Sequence, residues 1–427
     1  MCPYNAKGYV IENITIVDVN TAVAQPGKTV VVADERIQSI HDAQNFKNSG
    51  NFQSLNGSGL YLMPGLIDSH VHYFDPDTFG PLLLKNGIVL VRDMGNPTDQ
   101  ALQLRHALKE GTIPGPELIT TGWILDGDPP QIPPISLTCT SVEQGRERVR
   151  QQANAGVDQI KVYSDLEKDV YLAIIEESLH HGLKPVGHVP EAVYIEEAAS
   201  AGQATCEHLF GFEKMIGKLL GEEVKIQKGG MGSYIHYWMR LPEVDRITLS
   251  RELKKIKDSR MVICPTLVVF FGHARAKEIF SGTFPHLENV SPAIRNIWNM
   301  FWNPNESEID LYQKISPHMQ AFVYELYKAG IPLLIGTDLT TFSIVPGYSL
   351  HEEMKLWQDA GIPPVDVLRS ATITPARFFN MEIDLGTIEP GKLASMVLVR
   401  GNPLEDISHA SEVASVFLRG RPVVNSF

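Results

Sequence analysis

Eight short apolar runs recur through the middle of the chain, at 65–69, 88–92, 118–125, 159–163, 185–189, 204–209, 261–269 and 332–337. Each has strand length, and most are separated by stretches patterned as amphipathic helix. Thr98 is placed to cap a helix reaching Glu110 ahead of Gly111, Ser141 one reaching Ala155 ahead of Gly156, and Asp165 one reaching His181 ahead of Gly182. Parallel neighbours need a crossover of helical length, so this alternation predicts an α/β fold: a (β/α)8 TIM-like barrel with an outer ring of helices. Two connections are too long for simple barrel loops. One, at 211–259, contains Lys228-Gly229-Gly230-Met231-Gly232-Ser233, and the other, at 270–330, contains Phe301-Trp302-Asn303-Pro304. Such excursions serve more often as lids or oligomer contacts than as separate domains.

The two ends read differently. Residues 9–19, 28–32 and 37–40 are short β-patterned runs, followed by the turn cluster Asn56-Gly57-Ser58-Gly59. After the eighth run, 350–360 and 364–380 read as helices, and 386–424 returns to β text with Met396-Val397-Leu398-Val399 and 413–418. The first sixty residues hold too little for an independent core. The two ends are predicted to pair into a small β-sandwich domain, residues 1–62 with 385–427, flanking a barrel at 63–384.

Composition narrows the partners. A formal charge of −13 argues against nucleic acid or an anionic membrane, both of which repel an acidic surface. Cys2, Cys139, Cys206 and Cys264 are scattered without paired spacing, which fits a reducing compartment. Met1-Cys2-Pro3-Tyr4-Asn5-Ala6-Lys7 lacks the charged and apolar regions of a signal peptide, and no stretch approaches the roughly 20 apolar residues of a membrane helix. The expectation is a cytoplasmic protein acting on a small molecule.

Active sites of parallel barrels sit at the C-terminal ends of the strands. The first run belongs to Leu62-Met63-Pro64-Gly65-Leu66-Ile67-Asp68-Ser69-His70-Val71-His72, and in a strand His70 and His72 project from one face. The fourth run carries Lys161, the fifth His188, the sixth His208, and the eighth ends in Asp338. Each has an ordinary alternative: half-exposed strand histidines, a snorkelling lysine, satisfied core histidines, a helix-capping aspartate. A lysine within an apolar central strand is costly, however, unless it is paired or chemically altered. All six at the correct strand ends form too specific a set for coincidence, and His70 with His72 is a natural metal grip. Tyr163 shares the face of Lys161, where it either donates to substrate or packs in the barrel. His273, just beyond the seventh run, is within reach of a substrate carboxylate or oxyanion. The remaining histidines are assigned to surface or packing.

These residues lie in motifs that resemble the amidohydrolase superfamily, in its Xaa-Pro dipeptidase-like and imidazolonepropionase-like branch. The matching text is the stretch 63–72, Arg92-Asp93-Met94-Gly95, Gly187-His188-Val189-Pro190, Glu207-His208-Leu209, Gly336-Thr337-Asp338, Ser370-Ala371-Thr372-Ile373-Thr374-Pro375-Ala376 and Gly386-Thr387-Ile388-Glu389-Pro390-Gly391-Lys392. Ala394-Ser395 departs from the usual Ala-Asp, in the β region away from the site. The resemblance implies two divalent metal ions: His70, His72 and Asp338 on one, His188 and His208 on the other, and Lys161, carboxylated by carbon dioxide, between them. It further implies a metal-bridging hydroxide that attacks a scissile carbonyl, with Asp338 carrying the proton to the leaving amine. Zinc suits this donor set, and manganese or cobalt also fit it. The family habit implies a homo-oligomer.

The expected reaction is hydrolysis of an amide C–N bond in a dipeptide of Xaa-Pro type or an N-acyl amino acid. Alternatives on the same centre are lactone, carbamate, urea or phosphoester hydrolysis. His188-Val189-Pro190-Glu191 also fits the His-x-x-Glu of one-metal deaminases acting on aminated heterocycles, with Glu191 as proton shuttle. Against that, Pro190 and Glu191 suit the first turn of a helix, and Lys161 has no task in a one-metal site. A non-catalytic relative that kept the fold is the remaining reading, although such relatives lose ligands and here all six positions are filled.

Overall fold

The computed structural model describes residues 8–48, 52–222, 224, 231–301 and 304–425. Met1 to Lys7, the Lys228-Gly229-Gly230 part of the first long connection and Trp302-Asn303 of the second lie outside the described residues.

The apolar runs form parallel segments, each linked to the next in chain order. The first, Leu66–Val71, pairs with the second, Ile88–Asp93, and that with the third, Glu117–Thr120. The third reaches the fourth, Gln159–Val162, through the Asp158 amide, which donates to the Thr120 carbonyl at 2.9 Å. The fourth pairs with the fifth, Lys184–Gly187, and the amide of Ala204 donates to Pro185 at 2.7 Å, leading into the sixth, Thr205–Glu207. The sixth pairs with the seventh, Val262–Cys264. The eighth run makes no regular strand, yet Leu333 bridges Ile263 on one side and Leu339 bridges Val71 on the other. Asp68 reinforces that last join: buried, it accepts from the Thr337 amide at 3.1 Å and the Thr337 hydroxyl at 2.7 Å.

Besides the eighth, two further runs depart from expectation. The third bends at Gly122, whose φ of +66° favours glycine, and resumes as Ile124–Asp126, which pairs with the fourth strand. A Cβ at Gly122 would meet the side chains of Gln152 and Thr98 at 2.5 Å. The seventh run is strand only to Cys264. Thr266 turns left-handed at φ +47°, and the helix Leu267–Ala274 follows. A continuous apolar run does not distinguish a buried strand from a buried helix by periodicity.

The helix between 141 and 156 starts and stops as read: Ser141 accepts from the Gln144 amide, and Gly156 closes it at φ +94°. Thr98 is instead the first helical residue, after Pro97, and Asp165 caps nothing because its helix begins at Lys168. Both long connections are largely helical. The first carries Phe212–Leu219, Met231–Arg240 and Arg246–Ser259; the second carries Ala276–Ser281, Pro292–Phe301 and Glu306–Ala329.

The terminal segments share one eight-stranded sheet. Tyr61–Pro64 joins the two ends, parallel to Gly8–Asp18 and antiparallel to Met396–Val399, with Leu62 opposite Leu398. Ile11, Ile14, Val30, Met396 and Phe417 from both ends pack into one buried cluster. Ser395 lies here, where its hydroxyl accepts from the Arg419 amide. Cys139, Cys206 and Cys264 are buried free thiols. Among the described residues no helix is long and apolar enough to cross a membrane.

Glu353, on the helix Tyr348–Asp359, is fully buried and accepts from the Val268 amide at 2.6 Å and the Trp357 indole at 2.8 Å. Burial pushes its pKa up to about 8. The unfolded chain releases this proton near 4.5, so between about pH 4.5 and 8 folding takes up a proton and stability falls as pH rises. Urea unfolding at about pH 5 and pH 8.5 should show Glu353→Gln gaining stability relative to the parent as pH rises; a pH-independent difference contradicts the assignment.

Candidate metal centre

The six strand-end residues are brought together. His70 and His72 face Asp338, with Nε2 atoms 3.2 and 3.5 Å from its Oδ1, and ligand atoms of the three lie within 4.8 Å of one another. Lys161 Nζ stands 3.4 Å from His70 Nε2. The His208 ring centres 4.5 Å from that of His70, and the His188 ring 5.0 Å from that of His208. Asp338 turns in through a left-handed φ of +60°, its amide donating to the His70 carbonyl at 2.8 Å. The Thr341 hydroxyl donates to Asp338 Oδ2 at 2.7 Å, which leaves Oδ1 toward the histidines.

Each imidazole is anchored at Nδ1. His70 meets Glu207 Oε2 at 2.9 Å, His72 the Gly95 carbonyl at 3.2 Å, His188 the Ser164 hydroxyl at 2.8 Å and His208 the Thr266 hydroxyl at 2.7 Å. Outer partners of this kind fix ring orientation and free Nε2 for a metal. His188 Nε2 is buried and has no hydrogen-bond partner among the described residues. An orphaned ring nitrogen amid three further imidazoles and a carboxylate fits a divalent transition metal.

The electrostatics agree with ligation. Burial, then the Lys161 charge, holds His70 well below its ordinary pKa; burial and His208 do the same to His188; and burial lowers His208 to about 4. These three rings are therefore neutral near pH 7, as metal binding requires. Burial lowers Lys161 to about 8 against the opposing pull of Asp338 and Glu207. Burial alone would raise Asp338, but the charges of His208, His72 and Lys161, with a hydrogen bond from His72, outweigh it and hold the carboxyl well below the usual range.

Beneath the cluster lies a pair the motif reading quoted without assigning. Arg92 and Glu207 are both fully buried, and Arg92 Nη2 donates to the two Glu207 oxygens at 2.9 and 3.1 Å. Their legible signal was an arginine and a glutamate within strands otherwise apolar. Ser164 and Thr266 had no such signal, because both hydroxyls sit in turns.

Tyr163 stacks on His188, centroids 3.9 Å apart, and is buried. His273, also buried, bonds the Val269 carbonyl through Nδ1 at 2.8 Å and packs on Tyr312 and Phe342; the charge of Asp338 reaches it. Glu191 lies in a turn, not in the first turn of a helix: the following helix starts at Ile195, and the Glu191 amide donates to the Ser164 carbonyl. The sequence preference for a helix start was offset by the need to close the turn against Ser164.

Parallel strands whose ends gather imidazoles and an aspartate with ligand atoms within metal-binding reach of one another, in a chain that matches the amidohydrolase model, define a metal-dependent hydrolase. The model of the amidohydrolase family matches residues 61–423, and the chain belongs to that family. A protein of Bifidobacterium longum described as a prolidase superposes with a TM-score of 0.72 at 22% identity, over 99% of this chain and 95% of that one. A Xaa-Pro dipeptidase with methionine bound in its active site gives 0.69 at 19%, over 97% and 99%. The bottromycin amidohydrolase gives 0.74 at 20%, over 98% and 87%. At these identities the likeness is one of fold. No curated protein matches by sequence.

Glu207→Gln removes the charge that offsets Arg92 in a fully buried pair, where breaking one partner costs about 3–5 kcal/mol. Urea unfolding should register a loss of that order. A loss below about 1 kcal/mol would place Arg92 with another carboxylate.

Proposed function

We propose that this chain is a binuclear metal-dependent hydrolase of an amide C–N bond, acting on a dipeptide of Xaa-Pro type or an N-acyl amino acid. The observation that carries the reading is the set of four imidazoles, each anchored at Nδ1, around Lys161 and Asp338. The likeness to proteins described as prolidase and Xaa-Pro dipeptidase supports the substrate class. In this reading the eight linked segments are a closed barrel at 63–384, and residues 1–62 and 385–427 make the flanking β domain. The working protein is cytoplasmic and a homo-oligomer.

His70, His72 and Asp338 would hold one ion and His188 and His208 the other, zinc by ligand type, with manganese or cobalt also suited. Lys161 would join the two as a carbamate. Its lowered pKa makes the neutral amine available: the nitrogen adds to the carbon of carbon dioxide, a C–N bond forms, and a proton leaves. That exchanges a buried ammonium for an anion able to face two cations. Bound divalent ions supply carbonyl polarisation and an acidified water.

Asp338 handles the proton. Its Oδ1 side faces the histidine cluster while Thr341 fixes Oδ2, so the carboxylate takes the proton from the attacking water and returns it to the leaving amine. In this reading Tyr163, stacked on His188, donates to the substrate, and His273 meets a substrate carboxylate or oxyanion.

Hydrolysis of a dipeptide and N-acyl amino acid panel tests the assignment. Asp338→Asn should lower kcat by about 10²–10⁴-fold, and Lys161→Ala should lose one metal equivalent with most of the activity. Parent-like turnover in either variant would remove that residue from its role. Metal uptake by the parent should also rise with added bicarbonate; uptake indifferent to bicarbonate contradicts the carbamate.

A further inference from the structure

We infer that the helices Phe212–Leu219 and Met231–Arg240 act as a positioning strap for the second metal position, through Tyr234 on His208 and through Lys214 on the turn after His188. The inference rests on the two-ion reading above and assigns a role to a connection that reading leaves unused.

His208 and Leu209 both sit at left-handed φ, +56° and +60°, a region that side-chain-bearing residues rarely adopt. The backbone there is held by its surroundings. The His208 amide donates to the Cys264 carbonyl at 2.9 Å, and Nδ1 meets Thr266; both partners belong to the seventh strand and its turn. The carbonyl is held from elsewhere: the Tyr234 hydroxyl donates to it at 3.0 Å. Tyr234 is buried on the helix Met231–Arg240, boxed by Phe210, Phe270 and Trp238 at centroid distances of 5.2, 6.0 and 6.0 Å.

Lys214, on Phe212–Leu219, is 3% exposed, and its ammonium donates to the carbonyls of Pro190 at 2.8 Å, Glu191 at 3.1 Å and Val193. Three carbonyls match the three donors of an ammonium, and together they fix the turn two residues beyond His188. Among the described residues no hydrogen bond runs from 211–240 to His70, His72 or Asp338. The strap is one-sided, so its loss should weaken one ion and spare the other. That selectivity separates positioning from general packing.

The test loads the full-length parent and variants with zinc in bicarbonate, then withdraws metal with a competing chelator while metal per chain is measured. The parent should release two equivalents. Tyr234→Phe, which removes only the hydroxyl, should weaken one of them by about 10–100-fold and leave the other unchanged. Lys214→Met should act on the same equivalent. Phe270→Leu trims the ring stacked on Tyr234 but spares the hydroxyl bond, so it should lower thermal stability with both equivalents kept. Parent-like release from Tyr234→Phe overturns the strap, and so does an equal shift in Phe270→Leu. A parent that holds a single equivalent overturns the two-ion reading itself, and the strap with it.

Discussion

Deep in the cluster of strands, a buried guanidinium grips a buried carboxylate, and that carboxylate grips a histidine. Arg92 forks Glu207, and Glu207 takes His70 Nδ1, with all three side chains sealed from solvent. In a low-dielectric interior each charge alone would be prohibitive; together they tie the second, sixth and first strands at one point. The consequence for chemistry is the tautomer of His70. With a carboxylate at Nδ1 the proton is fixed there, and Nε2 faces Asp338 and Lys161 as a free lone pair.

Burial has opposite consequences for different groups in this space. It holds His70, His188 and His208 below their ordinary range and brings Lys161 down to about 8, while the interactions of His208, His72 and Lys161 with Asp338 outweigh the desolvation of that carboxyl. Neutral rings, a lysine close to deprotonation and a firm carboxylate are the states metal ligation needs. The same burial that holds the strands together therefore prepares the ligands.

Much of this was legible in the residues. Two-residue periodicity put His70 and His72 on one face, and strand-end position singled out Lys161, His188, His208 and Asp338. What escaped was set by turns and by long-range contact. The eighth segment joins its neighbours by isolated bridges, so its apolar text promised more regular strand than forms. Thr266 and Ser164 serve the site from turns, where a hydroxyl gives no periodic signal. The helix start expected at Pro190 and Glu191 lost to a turn held by Ser164 and by Lys214, a residue more than 20 positions away.

The two-ion centre is the claim on which the chemistry depends, and elemental analysis of the parent protein tests it most directly. Protein produced with added zinc and bicarbonate, then freed of loosely bound metal, should carry two equivalents per chain. A single equivalent would contradict the binuclear reading and return attention to Glu191 and to deamination; none at all would remove the hydrolase.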